Sequence, residues 1–417
     1  MITGTNLPKI QTAIPGPISK QWIDRLAQRE CPAITARRAR RAHSLGLADD
    51  DPIVWKEAVG SNVVDVDGNV FIDLTAGFGV AGVGHRNPNV VQKLHEQSAF
   101  LLHAMGDAFA DPKRIELLEK IAEKTGLQRS ILGCSGSDAV EAAIKTARMA
   151  TGRSSILAFD NSYHGLAFGS LSATDYKSAM FREPFAQQLG THVDHATFNG
   201  EIPNDLSKYA AIIVEPIQGR GGIRVANAEW LRNLTTQARN AGAVVIFDEI
   251  YTGFGRTGTW FAYEQYHIQP DLLCIGKAMA GGFPISACVG SGEVMDAWGA
   301  SIGEAMHTQT FLGNPLGCAM ALAAIQEIEN ILPTIHSKST WIRNNLEQRG
   351  FVVQGTGLLL GIVLPNSLRS SRLLLQHGYI ALPAGPNCEV LALTPPLNIS
   401  KEQLQGFIDC LEIVEQT

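Results

Sequence analysis

The stretch from Ala243 to Lys277 limits the possible folds of this 417-residue chain more than any other. Two short apolar runs, Ala243 to Phe247 and Leu272 to Ile275, have the composition of strands that are buried in a parallel sheet. Asp248 directly follows the first run, and Lys277 stands just beyond the second. Ligands of open α/β sheets bind beyond the carboxyl ends of the strands, so we expect both side chains to point into one crevice.

An amine and a carboxylate in one crevice suit pyridoxal 5'-phosphate (PLP), whose aldehyde forms a Schiff base with lysine and whose ring nitrogen pairs with an acid. The words DEIYTGFGRTG, starting at Asp248, and IGKAMAGGFPISACVG, ending at Gly290, resemble the signature of the class III PLP-dependent aminotransferases. This group includes the 4-aminobutyrate, acetylornithine and ω-amino acid transaminases. Two isolated charged residues would ordinarily be solvated surface, but their spacing within these two words favours the cofactor interpretation.

The resemblance implies a PLP-dependent transaminase that moves an amino group from a primary amine, in an ω- or distal position, to a keto acid or aldehyde acceptor. It implies that Lys277 forms the Schiff base and that Asp248 keeps the pyridine nitrogen cationic. It also implies that Ile250 packs on one face of the ring and that Tyr251 contacts the phenolic oxygen. A PLP-dependent aminomutase or racemase on the same scaffold would use the same residues and stays an alternative.

The fold that the resemblance implies is α/β, PLP fold type I, which is the aspartate-aminotransferase-like fold. It has a large domain with a mostly parallel, seven-stranded type of sheet and a smaller α+β domain. We expect residues 1–60 to form an N-terminal segment of the small domain, residues 61–314 the large PLP-binding domain, and residues 315–417 the C-terminal small domain. Two domains also agree with the length, because single cores stop growing at roughly 250 to 300 residues.

A phosphate site is predicted where a short strand turns into the amphipathic helix that ends near Met149. Ser135, Gly136 and Ser137 form the small-residue turn, and the free N–H groups of a helix N-terminus favour a dianion. Ser137 could also cap the helix, and the two roles are compatible. The stretch resembles the phosphate cup of the family, with Asp138 in place of the more usual glutamate.

Two further strand ends carry candidate cofactor residues. Tyr163 follows the strand Ser155 to Phe159, and the resemblance implies that its ring stacks on the cofactor. Glu215 follows the strand Ala211 to Val214, in the word EPIQG, where the family has a glutamate near the ring. His164, next to Tyr163, receives no assigned role in proton transfer. Four strand ends are thus expected to converge on one edge of the sheet.

The glycines of GFGVAGVGH satisfy the GxGxxG pattern at Gly77, Gly79 and Gly82, which raises a distant alternative, a nicotinamide-dependent oxidoreductase. A turn at residues 86–88 separates these glycines from the helix that is predicted to begin near Asn89. No helix N-terminus would then face a pyrophosphate, so the dinucleotide interpretation is disfavoured.

The sequence also predicts residues that contact the substrate. The resemblance places Phe78, Val80 and Asp107 in the wall through which the substrate enters. Relatives that bind a substrate carboxylate commonly carry an arginine where this chain has Ala392. Either another arginine, such as Arg220, binds the carboxylate, or the substrate has none at that place. The resemblance alone therefore does not indicate whether 2-oxoglutarate is the acceptor.

The word HTQTFLGNP, from His307 to Pro315, resembles the family segment that crosses to the neighbouring subunit. In that case Thr310 reaches the phosphate in the other subunit. The resemblance therefore implies a homodimer with shared active sites.

The bulk properties favour a cytoplasmic enzyme that acts on small molecules. The net charge of −6 supplies no basic field for nucleic acid, and no apolar run approaches the roughly 18 residues of a membrane span. Residues 1–10 lack the apolar core of a signal peptide, and the seven scattered cysteines indicate reduced thiols. The HVDH word at 192–195 lacks the helical spacing of a metal pair, so no metal site is expected. One arginine cluster is expected to be a solvated face: Arg37, Arg38, Arg40 and Arg41.

Overall fold

The computed structural model describes residues 2–35 and 52–416, so the arginine cluster at Arg37 to Arg41 lies outside the described residues. The strands are β1 (Trp55–Val59), β2 (Asn62–Asp65), β3 (Val70–Asp73), β4 (Arg129–Gly133), β5 (Ser155–Phe159), β6 (Val193–Ala196), β7 (Tyr209–Val214), β8 (Ile217–Gln218), β9 (Arg224–Val225), β10 (Val244–Asp248), β11 (Leu272–Ile275), β12 (Ser286–Gly290), β13 (Val352–Thr356), β14 (Leu359–Val363), β15 (Tyr379–Ile380), β16 (Leu382–Ala384) and β17 (Val390–Leu393).

The longer helices span Pro17–Ala27, Pro88–Ser98, Pro112–Thr125, Gly136–Thr151, Ala228–Asn240, Pro315–Gln348, Ser367–Gln376 and Lys401–Gln416. Shorter helical segments span Pro32–Thr35, Ala76–Gly79, Phe168–Ala173, Ser178–Phe181, Glu183–Phe185, Ala186–Leu189, Tyr263–Tyr266, Lys277–Ala280, Gly292–Met295 and Asp296–Trp298.

The central sheet contains seven strands in the order β4-β12-β11-β10-β7-β5-β6. The strands β11, β10, β7, β5 and β6 run parallel to one another, and β12 is antiparallel to both of its neighbours. The sequence prediction of a mostly parallel, seven-stranded sheet is therefore confirmed. The parallel strands bring their carboxyl ends, and the residues that follow them, to one edge of the sheet.

Both faces of this sheet are covered, because its central strands are apolar on both sides. Every residue of β7 and β10 is buried. In β7, Ile212 and Val214 join one hydrophobic cluster, whereas Ala211 and Ile213 join another on the opposite face. The helix Gly136–Thr151 covers that second face with small apolar side chains. Parallel strands that are buried on both faces have continuous apolar runs, because no position along them faces solvent and calls for an alternating polar residue.

The smaller lobe is built on the sheet β13-β14-β17-β16 and has a hydrophobic core of its own. The helix Pro315–Gln348 belongs to both units, since Ile325 and Ile335 pack in the large core and Ile342 and Leu346 in the small one. A second α+β lobe was predicted from the sequence and is confirmed. The hairpin β2–β3 pairs with β15 from the C-terminal part, and the boundaries at residues 60 and 314 stay a prediction.

In the part of the chain that the structure describes, no helix is both long and apolar enough to cross a bilayer. The same residues contain no group of three or more histidine, cysteine, aspartate or glutamate side chains that is placed to hold a metal ion.

Candidate active site

Lys277 and Asp248 lie at the ends of two adjacent parallel strands and line the same cavity, which has a volume of about 650 Å³. Asp248 ends β10 and pairs in register with Cys274 of β11, three residues before the lysine. Lys277 has a φ of 45°, in the left-handed region that non-glycine residues rarely adopt. Backbone strain of this kind persists only where the surrounding structure enforces it, and it clusters at functional sites.

The amine of Lys277 is held in a low-polarity environment. Its Nζ lies 4.2 Å from the centroid of the Tyr251 ring. Burial lowers the pKa of Lys277 to about 8, although the charges of Asp248 and Glu215 act in the opposite direction. A substantial fraction of this amine is therefore neutral near pH 8, as a nucleophile or a general base must be.

Asp248 is buried and is oriented by two hydrogen bonds. The N–H of Ile250 donates to Oδ1 at 3.1 Å, and Nδ1 of His164 lies 2.7 Å from Oδ2. An ionised carboxylate only accepts, so with Asp248 ionised Nδ1 of His164 is the donor of this hydrogen bond. The other ring nitrogen of His164, Nε2, is buried without a hydrogen-bond partner among the described residues. The histidine thus supports Asp248, a role that the sequence did not reveal.

The helix Gly136–Thr151 presents an anion cup to the cavity. Ser135 caps the helix, and its Oγ accepts from the N–H of Asp138, whose carboxylate accepts in return from the N–H of Ser135. This capping box leaves the N–H groups of Gly136 and Ser137 without an acceptor in the described chain. A side chain at 136 would approach Ile250 to 2.9 Å, so only glycine fits there without displacing Ile250.

Tyr163 and Glu215 are linked on the next two strand ends. The N–H of Tyr163 donates to one oxygen of Glu215 at 2.9 Å, and the N–H of Gly219 donates to the other at 3.2 Å. Burial raises the pKa of Glu215 to about 7, and the nearby charge of Asp248 also raises it. The guanidinium of Arg220 lies over the ring of Tyr163, 4.4 Å from the centroid of that ring.

Tyr251 is packed tightly beneath Lys277. A Cβ at Gly79 would lie 2.6 Å from its ring and a Cβ at Gly219 only 2.1 Å, so these two glycines enclose it. The Tyr251 hydroxyl is within 3.1 Å of Oγ1 of Thr394, in the smaller lobe. Its contact with the phenolic oxygen of a cofactor stays a prediction.

The structure brings most of the predicted residues to the lining of this one cavity: Phe78, Ser135, Gly136, Ser137, Tyr163, Glu215, Arg220, Asp248, Ile250, Tyr251 and Lys277. Val80, Asp107 and Thr310 are not part of the lining. Asp107 accepts a hydrogen bond from the hydroxyl of Thr308 at 3.1 Å, and Thr310 is exposed on the same loop.

The glycine-rich stretch has a packing role in the described structure. Gly79 lies against Tyr251, and a Cβ at Gly82 would lie 2.8 Å from Ala278. The next long helix begins only at Pro88 and is capped by Asn87. These contacts explain the glycines without a dinucleotide.

The donor set fits PLP. It provides one partly neutral amine, one oriented carboxylate at the neighbouring strand end, and two free N–H groups at the start of a 16-residue helix for a phosphate. Tyr163 and Ile250 line the space between them. The fold and the site together define a PLP enzyme of fold type I.

Comparison with known proteins gives the family. A family model described as aminotransferase class-III matches residues 47–414, and the chain therefore belongs to the class-III aminotransferases. An acetylornithine aminotransferase of Methanosarcina mazei is 36% identical over 374 residues, which cover 87% of this chain and 91% of that protein. A LysW-aminoadipate semialdehyde/glutamate semialdehyde transaminase of Sulfolobus acidocaldarius is 38% identical over 360 residues, which cover 82% of this chain and 89% of that protein.

The fold is also that of a solved ornithine aminotransferase from Toxoplasma gondii, with a TM-score of 0.83 and 24% identity over 98% of this chain and 96% of that one. The protein is a PLP-dependent aminotransferase that transfers an amino group between an amine donor and a keto acid acceptor. The family assignment favours aminotransfer over the aminomutase, racemase and nicotinamide-dependent alternatives.

Proposed function

We propose that Lys277 is the covalent anchor of PLP and the proton-transfer group of the reaction, and that the donor is a primary amine in a distal position. The observation that carries the proposal is the placement of Lys277, whose pKa burial lowers to about 8, in one cavity with Asp248 and the anion cup. An isolated buried lysine would explain neither the acid nor the cup.

Each residue of the site has a distinct role in holding the cofactor. The N–H groups of Gly136 and Ser137, together with the Ser135 cap, hold the phosphate at the positive end of the helix. Tyr163 and Ile250 hold the two faces of the ring, and Asp248 holds the proton on the pyridine nitrogen. His164 fixes the orientation of the Asp248 carboxylate.

The bound PLP supplies an electron sink that stabilises negative charge on the substrate carbon next to the nitrogen. The chain supplies the proton transfer. Nζ of Lys277 would take the proton from that carbon and deliver it to the former aldehyde carbon of the cofactor, on the other side of the nitrogen, and burial keeps the amine neutral enough to do so. Tyr251 limits the movement of the amine, because its ring lies beneath Nζ and is itself enclosed by two glycines.

The distal position of the donor amine is supported by the relatives, which are named for acetylornithine and for semialdehydes of aminoadipate and glutamate. We test amino acids and diamines whose reacting amine is separated from the other functional group, with the two groups in 1,4 or 1,5 positions. We expect these donors to remove the absorbance of the holoenzyme at about 410–430 nm in the absence of an acceptor. The corresponding 2-amino acids, matched in carbon number, should do so at least about tenfold more slowly. Stopped-flow spectroscopy measures both. Equal rates with the two series would contradict the distal assignment.

The homodimer is supported by apolar side chains around the two loops that contain Asp107 and Thr310. Phe100 is 85% exposed, Phe109 68%, Ile302 102% and Phe311 60%. These loops are joined by the Thr308–Asp107 hydrogen bond and by one from Asn314 to the carbonyl of Leu102, so they form one continuous surface. An exposed apolar surface of this kind indicates a protein contact. A second copy of the chain would cover it and bring Thr310 to the phosphate in its partner.

Shared sites predict complementation between two inactive variants. We expect Lys277→Ala and Thr310→Asp each to have little activity alone, because one lacks the amine and the other places a negative charge at the phosphate. After subunit exchange in a 1:1 mixture, half of the dimers are hybrids with one intact site, so about a quarter of the wild-type activity should return. Activity assays on the mixture, with size-exclusion chromatography, measure this. Full activity of Thr310→Asp alone would contradict the shared site.

We propose that residues 1–60 and 315–417 form the small domain and that residues 61–314 form the large domain. The separate hydrophobic cores of the two lobes support this division. A cytoplasmic location is supported by the seven cysteines, none of which forms a disulfide.

A further inference from the structure

We propose that Arg220 binds the carboxylate of a 2-oxo acid acceptor and that the apolar wall beside it takes the acceptor's aliphatic remainder. The acceptor class is then a 2-oxo monocarboxylate with an apolar side chain. The inference rests on the proposed function, because it assigns the second substrate of the same cavity.

Arg220 is a cation without an acidic partner in the described chain. It lines the cavity and is only partly exposed, and its guanidinium is stacked on Tyr163. The nearest acid along the chain, Glu215, is occupied by the N–H groups of Tyr163 and Gly219. A partly desolvated guanidinium that faces a cavity is suited to bind a carboxylate through two parallel hydrogen bonds.

The loop that carries Arg220 is fixed on both sides. Gly219, on one side of it, touches the Tyr251 ring so closely that any Cβ would collide. On the other side, the N–H of Gly385 donates to the carbonyl of Arg220 at 3.0 Å, and the side-chain amide of Gln354 donates to the carbonyl of Gly222. Both lobes therefore hold the turn, and a pre-positioned cation loses little entropy when it binds a ligand.

Arg220 shares the cavity with the reacting amine. Its neighbour Gly219 lies against the ring of Tyr251, and Nζ of Lys277 lies 4.2 Å from the centroid of the same ring. The charge of Arg220 adds to burial in lowering the pKa of Lys277. In a 2-oxo acid the carboxylate is on the carbon next to the reacting carbonyl. A cation in the same cavity as Lys277, one residue from the glycine that packs on Tyr251, suits this substrate better than a carboxylate at the far end of a chain.

The wall next to the Arg220 loop is apolar around Ala392, the position at which relatives that bind a substrate carboxylate commonly carry an arginine. Ala392 is 9% exposed and belongs to an apolar cluster with Ala384 and Val390. Leu382 lines the cavity beside them, and Arg372 is the other arginine of the lining. The wall formed by Ala384, Ala392 and Leu382 therefore favours an aliphatic chain.

The test compares two acceptors that differ only by the carboxylate, 2-oxohexanoate and pentanal, in the wild type and in Arg220→Met. The variant loses the hydrogen bonds between the guanidinium and the carboxylate of 2-oxohexanoate. Because hydrogen bonds to charged groups contribute strongly to binding free energy, the KM for 2-oxohexanoate should rise by about 10- to 100-fold. The KM for pentanal should change by less than about threefold, because pentanal has no carboxylate for the guanidinium to bind. The KM of Arg220→Lys for 2-oxohexanoate should lie between the values of the wild type and of Arg220→Met, because lysine keeps the charge but lacks the planar guanidinium.

Calorimetry with hexanoate on the holoenzyme gives a readout that does not depend on turnover. Binding should be present in the wild type and weakened by at least about tenfold in Arg220→Met. Equal weakening of both acceptors, unchanged hexanoate binding, or a wild-type preference for 2-oxoglutarate over 2-oxohexanoate would overturn the inference. Absence of transamination with every donor would instead refute the proposed function, and the hexanoate titration would still decide the role of Arg220.

Discussion

Replacing Lys277 with alanine is expected to lower the transamination rate by at least about a thousandfold, because the change removes the proposed covalent anchor and the general base together. The cofactor absorbance at about 410–430 nm should also disappear, since it depends on conjugation with the lysine nitrogen. Steady-state assays and absorption spectra of the purified variant measure the two effects.

Lys338 offers a matched control. Burial also lowers its pKa to about 8, but it donates to the carbonyl of Leu397 and is not part of the cavity lining. The Lys338→Met variant should keep the cofactor absorbance and a rate within about threefold of the wild type. If Lys277→Ala stays yellow and active, or if only the Lys338 variant loses the cofactor, Lys277 is not the anchor.

Replacing Asp248 with asparagine is expected to lower kcat by about 100- to 1,000-fold, the range for losing one oriented electrostatic group in an active site. The neutral amide cannot hold the proton on the pyridine nitrogen, and it also leaves His164 without its carboxylate partner. The protein should still bind the cofactor, because Lys277 and the anion cup are unchanged. Rate measurements and cofactor titration separate the two effects.

Glu249, the next residue, serves as the control for Asp248. It is buried and accepts from the N–H groups of Ala262 and Tyr263 and from the hydroxyl of Thr252, away from the cavity. Glu249→Gln should lower the thermal midpoint, because it disturbs these buried hydrogen bonds, while kcat per folded molecule changes by less than about threefold. A kcat loss in Glu249→Gln as large as in Asp248→Asn would argue against a specific role for Asp248.

The sequence predicted the fold and many of the residues that line the cavity because the relevant signals are local. An apolar run followed by an acid, as in β10, marks both a buried parallel strand and the edge at which ligands bind. The turn at Ser135 to Ser137 marks a helix N-terminus in the same way. Since parallel strands place their carboxyl ends together, the convergence of Tyr163, Glu215, Asp248 and Lys277 followed from the fold class.

The contacts between distant elements could not be predicted. His164 reaches Asp248 across 84 residues, because β5 and β10 flank β7 in the folded sheet and their strand ends come together. The Tyr251 hydroxyl meets Thr394 of the smaller lobe, 143 residues away. Strand order and lobe packing depend on the whole core, and no local pattern of residues encodes them.

We propose that Lys277 binds the cofactor covalently while Asp248 holds the opposite side of its ring. The most direct measurement is borohydride reduction of the holoenzyme, which fixes the cofactor to its lysine by a stable single bond, followed by peptide mapping with mass spectrometry. We expect a single phosphopyridoxyl group, on Lys277. A phosphopyridoxyl group on another lysine, or none on a protein that binds PLP, would contradict it.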